Sequence, residues 1–418
     1  MVQQKLVSSE KTNEKENICR DEPELRFPEF KDKWKKEKIG EISKTYSGGT
    51  PSTSNKNFYI GNIPFIKSGE INSEETEQYI NEDAINNSSA KLVKKGDLLL
   101  ALYGATSGEV AISKLDGAIN QAVLKIDNEM DNVFQYNYFL KEKENIVHKY
   151  LQGGQGNLSS KIIKNLELYY PNINEQKKIA NFLLTIDKKI GLLEKKHEKI
   201  LYLKDYYYSE IFNIQTFDKL KIEYTELVLE DVVTKFSTGL NPRKNFKLND
   251  GGTNFYVTIK NFENGKLTLD EKCDKIDDDA LNMINKRSDL KKDDLIFASI
   301  GRVGEVYLIK EDPLNWNINE SVFSLRANKN LLEPKFLYCL MKSNKIQHYF
   351  NNNITGSTFK SIKMKDLRKT PIAIPYDIQK QKYIADFLLK FDNKEHLMEM
   401  KIQEIINFKK GLLQKMFI

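Results

Sequence analysis

Apolar residues recur at steps of four and three along two stretches of the chain. Ile179, Leu183, Ile186, Ile190, Leu193, Ile200, Tyr207 and Ile211 form one stripe, broken by His197 and Lys204; Ile384, Leu388, Phe391, Met398, Ile402, Ile405, Leu412 and Met416 form the other, broken by Glu395 and Lys409. This is heptad spacing, and it predicts two helices that each carry a continuous apolar seam. At a rise of 1.5 Å per residue, helices of roughly 35 residues would each extend about 50 Å. Two seams of the same phase are expected to pack on each other, in preference to a solvated single helix. The pairing is expected to be antiparallel, because the chain must build a second globular unit at the far end of the first helix and then return. The polar interruptions are expected to fix register.

Ahead of each stripe the pattern changes to short apolar runs bounded by Gly, Asp and Asn, which predict strands. Leu98–Leu102, Val110–Ile112 and Ala122–Ile126 precede the first stripe; Leu295–Ala298, Val306–Ile309 and Val322–Leu325 precede the second. Each set is followed by a predicted helix, Gln135–Tyr150 and Pro334–Phe350, the latter opened by a proline suited to a first turn. A proline-bearing extended segment then introduces each long helix, Leu168–Pro171 and Ile372–Pro375, and is read as a hinge.

The doubled order is also a doubled sequence. Gln176-Lys177-Lys178-Ile179-Ala180-Asn181-Phe182-Leu183-Leu184 returns as Gln381-Lys382-Tyr383-Ile384-Ala385-Asp386-Phe387-Leu388-Leu389, 205 residues later. Upstream, Lys95-Gly96-Asp97-Leu98 matches Lys292-Asp293-Asp294-Leu295, and Gly108-Glu109-Val110 matches Gly304-Glu305-Val306. Between the matched blocks the copies drift, most of all in Tyr46–Glu82 against Phe236–Asp279. A shared scaffold with variable loops is implied. The expected fold is α+β: two pseudo-symmetric mixed α/β domains, each followed by a long helix, with the helices packed as an antiparallel coiled coil. The expected boundaries are a disordered arm over 1–23, domains over 24–171 and 216–375, and helices over 172–215 and 376–418.

Composition narrows the class. The chain of 418 residues is 40% hydrophobic, 30% charged and 11% aromatic, and no run approaches the roughly 20 apolar residues of a membrane span. The polar first two dozen residues hold no signal-peptide core, so a cytoplasmic protein is expected. Cys19, Cys273 and Cys339 are too scattered for a disulfide framework or a metal motif. A net charge of +6 permits a polyanionic partner without requiring one. No Asn/Asp-Pro-Pro-Tyr/Phe run for amino methylation is present, and no Gly-x4-Gly-Lys-Ser/Thr phosphate loop. The run Gly153-Gly154-Gln155-Gly156 lacks the strand and third glycine of a dinucleotide fingerprint. His148 and His348 coincide between the copies but have no acidic or cysteine partner at ligand spacing, and are expected to pack at helix ends.

The order of blocks resembles the specificity (S) subunit of type I restriction-modification enzymes. The residues that carry the resemblance are Pro171, Glu175, Gln176, Ile179 and Ala180, repeated as Gln381, Ile384 and Ala385 with Lys380 in place of the Glu. To these are added the opening Pro23-Glu24-Leu25-Arg26-Phe27-Pro28-Glu29-Phe30, Trp34 and Ile39-Gly40-Glu41-Ile42. The resemblance runs from about residue 23 to the C-terminus. It implies a non-catalytic bacterial subunit whose two target-recognition domains each read one half of a split sequence on double-stranded DNA. It further implies docking of two methyltransferase subunits and of restriction/translocase subunits. S-adenosylmethionine, ATP and Mg would then belong to those partners, with no cofactor or metal on this chain. A coiled-coil scaffold with two protein-binding heads, or a nucleic-acid-modifying enzyme with an unrecognised site, remain the competing readings.

Glycine-rich and polar loops beside the predicted strands supply the candidate contacts. Ser47, Gly48 and Thr50 in the first copy correspond to Thr238, Asn241 and Arg243 in the second; small residues let amides approach phosphates and hydroxyls can donate to them. The alternative for each loop is an ordinary turn. Gln155, Asn157, Ser159 and Lys161 correspond to Ser357, Thr358 and Lys360, where Gln and Asn suit adenine and Lys suits guanine or phosphate. A helix cap is the alternative there. Lys67, Ser68, Lys260, Asn261 and Arg302 complete the set, in or near loops that follow strand-like segments.

Overall fold

The computed structural model describes residues 22–151, 157–354 and 360–418. The chain divides into two units, Met1–Leu193 with Lys401–Ile418, and Glu194–Met400.

In the first unit the run Leu98–Ala101 is one of two inner strands of a four-stranded sheet with Lys44–Ser47, Val123–Asp127 and Val110–Ile112, antiparallel throughout. Side chains alternate across a strand, and this strand is buried on both sides. Leu98 and Leu100 join Leu124, Ile126 and Phe134 of the following helix, while Leu99 and Ala101 join Ile66, Val93 and Ile119 of a second sheet. That second sheet contains a parallel pair, Ile63–Ile66 beside Gly117–Ile119, with Phe65 opposite Ala118.

The second unit repeats the plan. Leu295–Ala298 lies among Val233–Thr238, Val322–Ala327 and Val306–Leu308 in the same order. Leu295 and Phe297 face the helical side, Ile296 and Ala298 face Val257 and Ile318. Here too the second sheet has a parallel pair, Asn254–Val257 beside Trp316–Ile318. The matched Asp of each copy is a structural anchor. Asp97 accepts from the Lys94 amide at 2.7 Å and pairs with Lys125 at 2.6 Å; Asp294 accepts from the Lys291 amide at 2.9 Å and is held by two guanidinium nitrogens of Arg326, each at 2.8 Å.

The long helices are Ile173–Ile211 and Ile378–Met416, 39 residues each. They run antiparallel within each unit. In the first unit Ile179, Ala180 and Leu183 share a core with Leu412, Leu413, Met416 and Phe417, and Lys409 reaches Asp187 at 2.6 Å. In the second unit Ala385 and Leu388 share a core with Tyr208 and Phe212, and Lys204 reaches Asp392 at 2.8 Å and Glu395 at 2.5 Å. The expected polar interruptions Lys204, Glu395 and Lys409 are thus paired across the seam. Each unit fills its core with the start of one long helix and the end of the other.

Three expectations are corrected. The helix anticipated over Pro334–Phe350 is two, Pro334–Lys342 and Asn344–Asn353, because Ser343 takes an extended ψ of 147° and its hydroxyl donates to the Leu340 carbonyl at 2.7 Å. The proline-bearing segments are strands rather than hinges: Glu167–Tyr170 pairs with Lys35–Lys38, and Pro371–Pro375 pairs with Tyr224–Val228. His148 and His348 are exposed and do not pack at helix ends. Among the described residues no helix is long and apolar enough to cross a membrane.

Candidate nucleic-acid interface

The candidate loops gather at the ends of the parallel strands. In the first unit the Ile66 carbonyl accepts from the Asn120 amide at 3.3 Å, so the turn carrying Lys67 and Ser68 lies beside Asn120 and Gln121. Gly48 is pressed onto the same spot: a Cβ there would fall 1.7 Å from the Ile119 carbonyl oxygen. Its amide donates to Val123 at 3.4 Å, so glycine serves close backbone packing at this position and its N–H is turned inward. Thr50 is exposed and its hydroxyl donates to Gln121. Ser47 is partly buried in the strand before the turn. Lys67 is also partly buried, with Glu77 at 3.8 Å.

The second unit builds the same corner with different side chains. A Cβ on Gly239 would fall 1.6 Å from the Ile318 carbonyl oxygen, and the Asn319 amide donates to Val257 at 2.9 Å. Asn241 caps the short helix Pro242–Asn245 by accepting from the Arg243 amide at 2.8 Å, while its own amide group donates to Glu320 at 2.6 Å. Arg243 is left exposed. The Thr238 hydroxyl donates to Gly239 and accepts from Arg287 at 3.3 Å. Tyr256 reaches the Leu240 carbonyl at 2.6 Å; burial, reinforced by Glu320, pushes its phenol well above the ordinary value.

Arg302 and Asn261 both bond to the backbone of the loop on which they were expected to act. The Arg302 guanidinium donates to the Ile259 carbonyl at 2.6 Å and pairs with Glu263 at 2.8 Å. Asn261 shapes its own turn by accepting from the Thr258 amide at 2.8 Å. Together they hold the loop that exposes Lys260, and the Gly301 amide donates to Lys360 at 2.9 Å, which brings a further exposed lysine to this corner.

In the first unit Asn157, Ser159 and Lys161 are exposed; Ser159 caps the helix Ser160–Lys164, and the Leu158 amide donates to Leu102 at 2.9 Å. Gln155, Ser357 and Thr358 lie outside the described residues. Sequence reasoning passed over Asn120-Gln121 and Asn319-Glu320, which stand where the loops converge. A signal for them exists in the chain, because Ile119-Asn120-Gln121 and Ile318-Asn319-Glu320 are themselves a repeated block.

Residues 31–202 and 221–407 each match the model of the type I restriction modification DNA specificity domain. The chain belongs to that family. The specificity subunit of the type I restriction enzyme MjaVIII from Methanocaldococcus jannaschii is 24% identical over 406 residues, 93% of this chain and 92% of the relative. The EcoR124I/EcoR124II specificity subunit of Escherichia coli is 29% identical over 174 residues, 39% of this chain and 43% of the relative. Among solved structures, the S subunit of a type I restriction-modification system from M. genitalium superposes with a TM-score of 0.60 at 19% identity, covering 95% of this chain and 99% of that one. A chain from a type I R-M system, solved in a study of complex assembly and conformational transition, gives 0.56 at 14% identity. These likenesses show the fold. This specificity subunit therefore carries two target-recognition domains on a repeated scaffold.

The joint between each domain and its helix explains the motif. Glu175 is fully buried, with two carboxylate bonds from Arg26 at 2.8 and 2.9 Å and one from Trp34 at 3.4 Å. The opening segment thus supplies the partners that make a buried Glu tolerable. In the second domain the equivalent Lys380 is exposed, as a position without such partners requires. Gln176 and Gln381 do the same work in both copies. Gln176 accepts from the Asp131 amide and donates to the Pro171 carbonyl; Gln381 accepts from the Glu333 amide and donates to the Pro375 and Leu331 carbonyls.

Proposed function

We propose that this chain is the DNA-recognition subunit of a type I restriction-modification complex, reading a bipartite target with one half-site per domain. The observation that carries the reading is the contrast within the repeat. The two domains share the order of the antiparallel four-stranded sheet, the parallel strand pair and the glycine contact that anchors the first loop, yet they differ in the side chains presented there: Thr50 and Gln121 against Asn241, Arg243 and Glu320. Shared scaffold with divergent loops is what two readers of different sequences need. The bases are read by Thr50, Lys67, Ser68, Gln121, Asn157, Ser159 and Lys161 in one domain, and by Arg243, Lys260 and Lys360 in the other; Asn261, Arg302 and the glycines position them.

The domains extend over 24–171 and 216–375, and the long helices set the gap between half-sites while docking two methyltransferase subunits, which in turn recruit restriction/translocase subunits. The chain itself does no chemistry; S-adenosylmethionine, ATP and Mg bind the partners. The complex works in the bacterial cytoplasm.

The test is exchange of residues 24–171 for the corresponding head of another specificity subunit, followed by mapping of methylated sites in cells that carry the partner subunits. One half of the split target is expected to change and the other to persist. An unchanged methylation pattern would instead support the scaffold reading, in which the heads bind proteins. Binding of the purified complex to its target is expected to fall steeply with salt, because phosphate neutralisation releases counterions.

A further inference from the structure

We propose that His197, Glu395 and Glu399 form a site for a divalent transition cation of the zinc class, joining the two long helices within the second unit. Glu395 and Glu399 are four residues apart on one helix and so stand side by side on one face. His197 comes from the other helix, and one ligand atom from each of the three residues lies within 4.8 Å of the others.

A second observation points to a ligand. His197 is partly buried, and its Nε2 is withdrawn from water with no hydrogen-bond partner among the described residues. A helix seam ordinarily places an apolar residue at such a position, and a polar ring nitrogen withdrawn from water without a partner is a cost the fold carries for some return. A cation bonded to imidazole supplies that return. The donor set of one imidazole and two carboxylates suits zinc and its neighbours better than calcium or magnesium, which favour oxygen alone. Tetrahedral zinc with bonds near 2.0 Å needs its ligand atoms about 3.3 Å apart, so binding requires the three side chains to draw together from their present spacing of up to 4.8 Å.

Two lysines now occupy the carboxylates, and both can yield. Lys204 holds Glu395 at 2.5 Å but also has Asp392 at 2.8 Å to keep. Lys266 holds Glu399 at 3.1 Å from a side chain about half exposed to solvent. Glu395 and Glu399 line a cleft of about 660 Å³, which gives the cation a path in and leaves room for water at the remaining coordination position. Bound there, the cation would add stability to the helix pair by mass action.

The experiment uses the full chain without a histidine tag, stripped with a chelator and titrated with Zn²⁺, read by calorimetry and by thermal melting. One Zn²⁺ per chain and a rise in Tm are expected. His197→Ala and Glu399→Gln should each weaken binding by at least about tenfold, since even outer-shell changes at metal sites reach that range. Lys266→Ala, which frees Glu399, should tighten it. His148→Ala, His348→Ala and His396→Ala should leave it in place. Glu399 is exposed, so its variant separates loss of the site from loss of the fold. Absence of saturable binding, binding that survives both His197→Ala and Glu399→Gln, or loss on His396→Ala alone would overturn the assignment.

Discussion

A buried glutamine stands at the head of each long helix and ties it to backbone groups of its domain. Gln381 is fully buried and bonds three backbone groups, the Glu333 amide and the Leu331 and Pro375 carbonyls, at 2.8 to 2.9 Å. It thereby locks the helix to the strand before it and to the helix start at Pro334. Gln381→Leu keeps the volume but leaves those groups unpaired, and an unsatisfied buried polar group costs about 1–3 kcal/mol. A loss of that size is expected in denaturant unfolding, with unchanged sheet content by circular dichroism. The glutamine was legible in the sequence as part of a repeated block, but its partners were not. Apart from the nearby proline carbonyl, they come from segments some 45 to 50 residues away, and only the closed fold brings them within bonding distance.

Among the elements, the seam of the long helices shows how polar positions are accommodated. Burial by itself would raise the Asp392 carboxyl, but Lys342 and Lys204 outweigh it and hold it below its usual value of 3.8. A carboxyl whose folded value is depressed contributes stability that is fully present above its unfolded value and is lost as pH falls through the folded one. Stability is therefore expected to hold down to about pH 4 and to drop below it, and Asp392→Asn should flatten that part of the acid-unfolding curve. The heptad pattern disclosed the seam, because an apolar period is written in every turn. It did not disclose the parallel strand pairs Ile63–Ile66 with Gly117–Ile119 and Asn254–Val257 with Trp316–Ile318. These are short, have one strand of each pair in the diverged regions, and pair across some 50 to 60 residues, so no local period marks them.

For the whole molecule, each unit depends on a helix end that belongs to the other half of the repeat. Leu412, Leu413, Met416 and Phe417 complete the first core, where Phe417 meets Phe134 at 5.0 Å between ring centroids; Tyr208 and Phe212 hold the matching places in the second. Removal of residues 401–418 is expected to destabilise the first unit by more than loss of a single large core side chain, about 3–5 kcal/mol. Hydrogen exchange should then accelerate in Leu98–Ala101 and leave Leu295–Ala298 protected. The sequence by itself determined that the chain is a duplicated α+β scaffold with two antiparallel helices, since periodicity and repetition are local and repeated signals. It also placed the candidate loops, because glycine and polar clusters mark turns wherever they fall. Tertiary structure alone decided which of those residues face outward. It turned the Gly48 amide inward, assigned Arg302 and Asn261 to holding a loop, and brought Asn120-Gln121 and Asn319-Glu320 to the centre of the corner. Exposure and hydrogen-bond partnership depend on what packs above a residue, and that neighbour is set by chain segments far away in sequence.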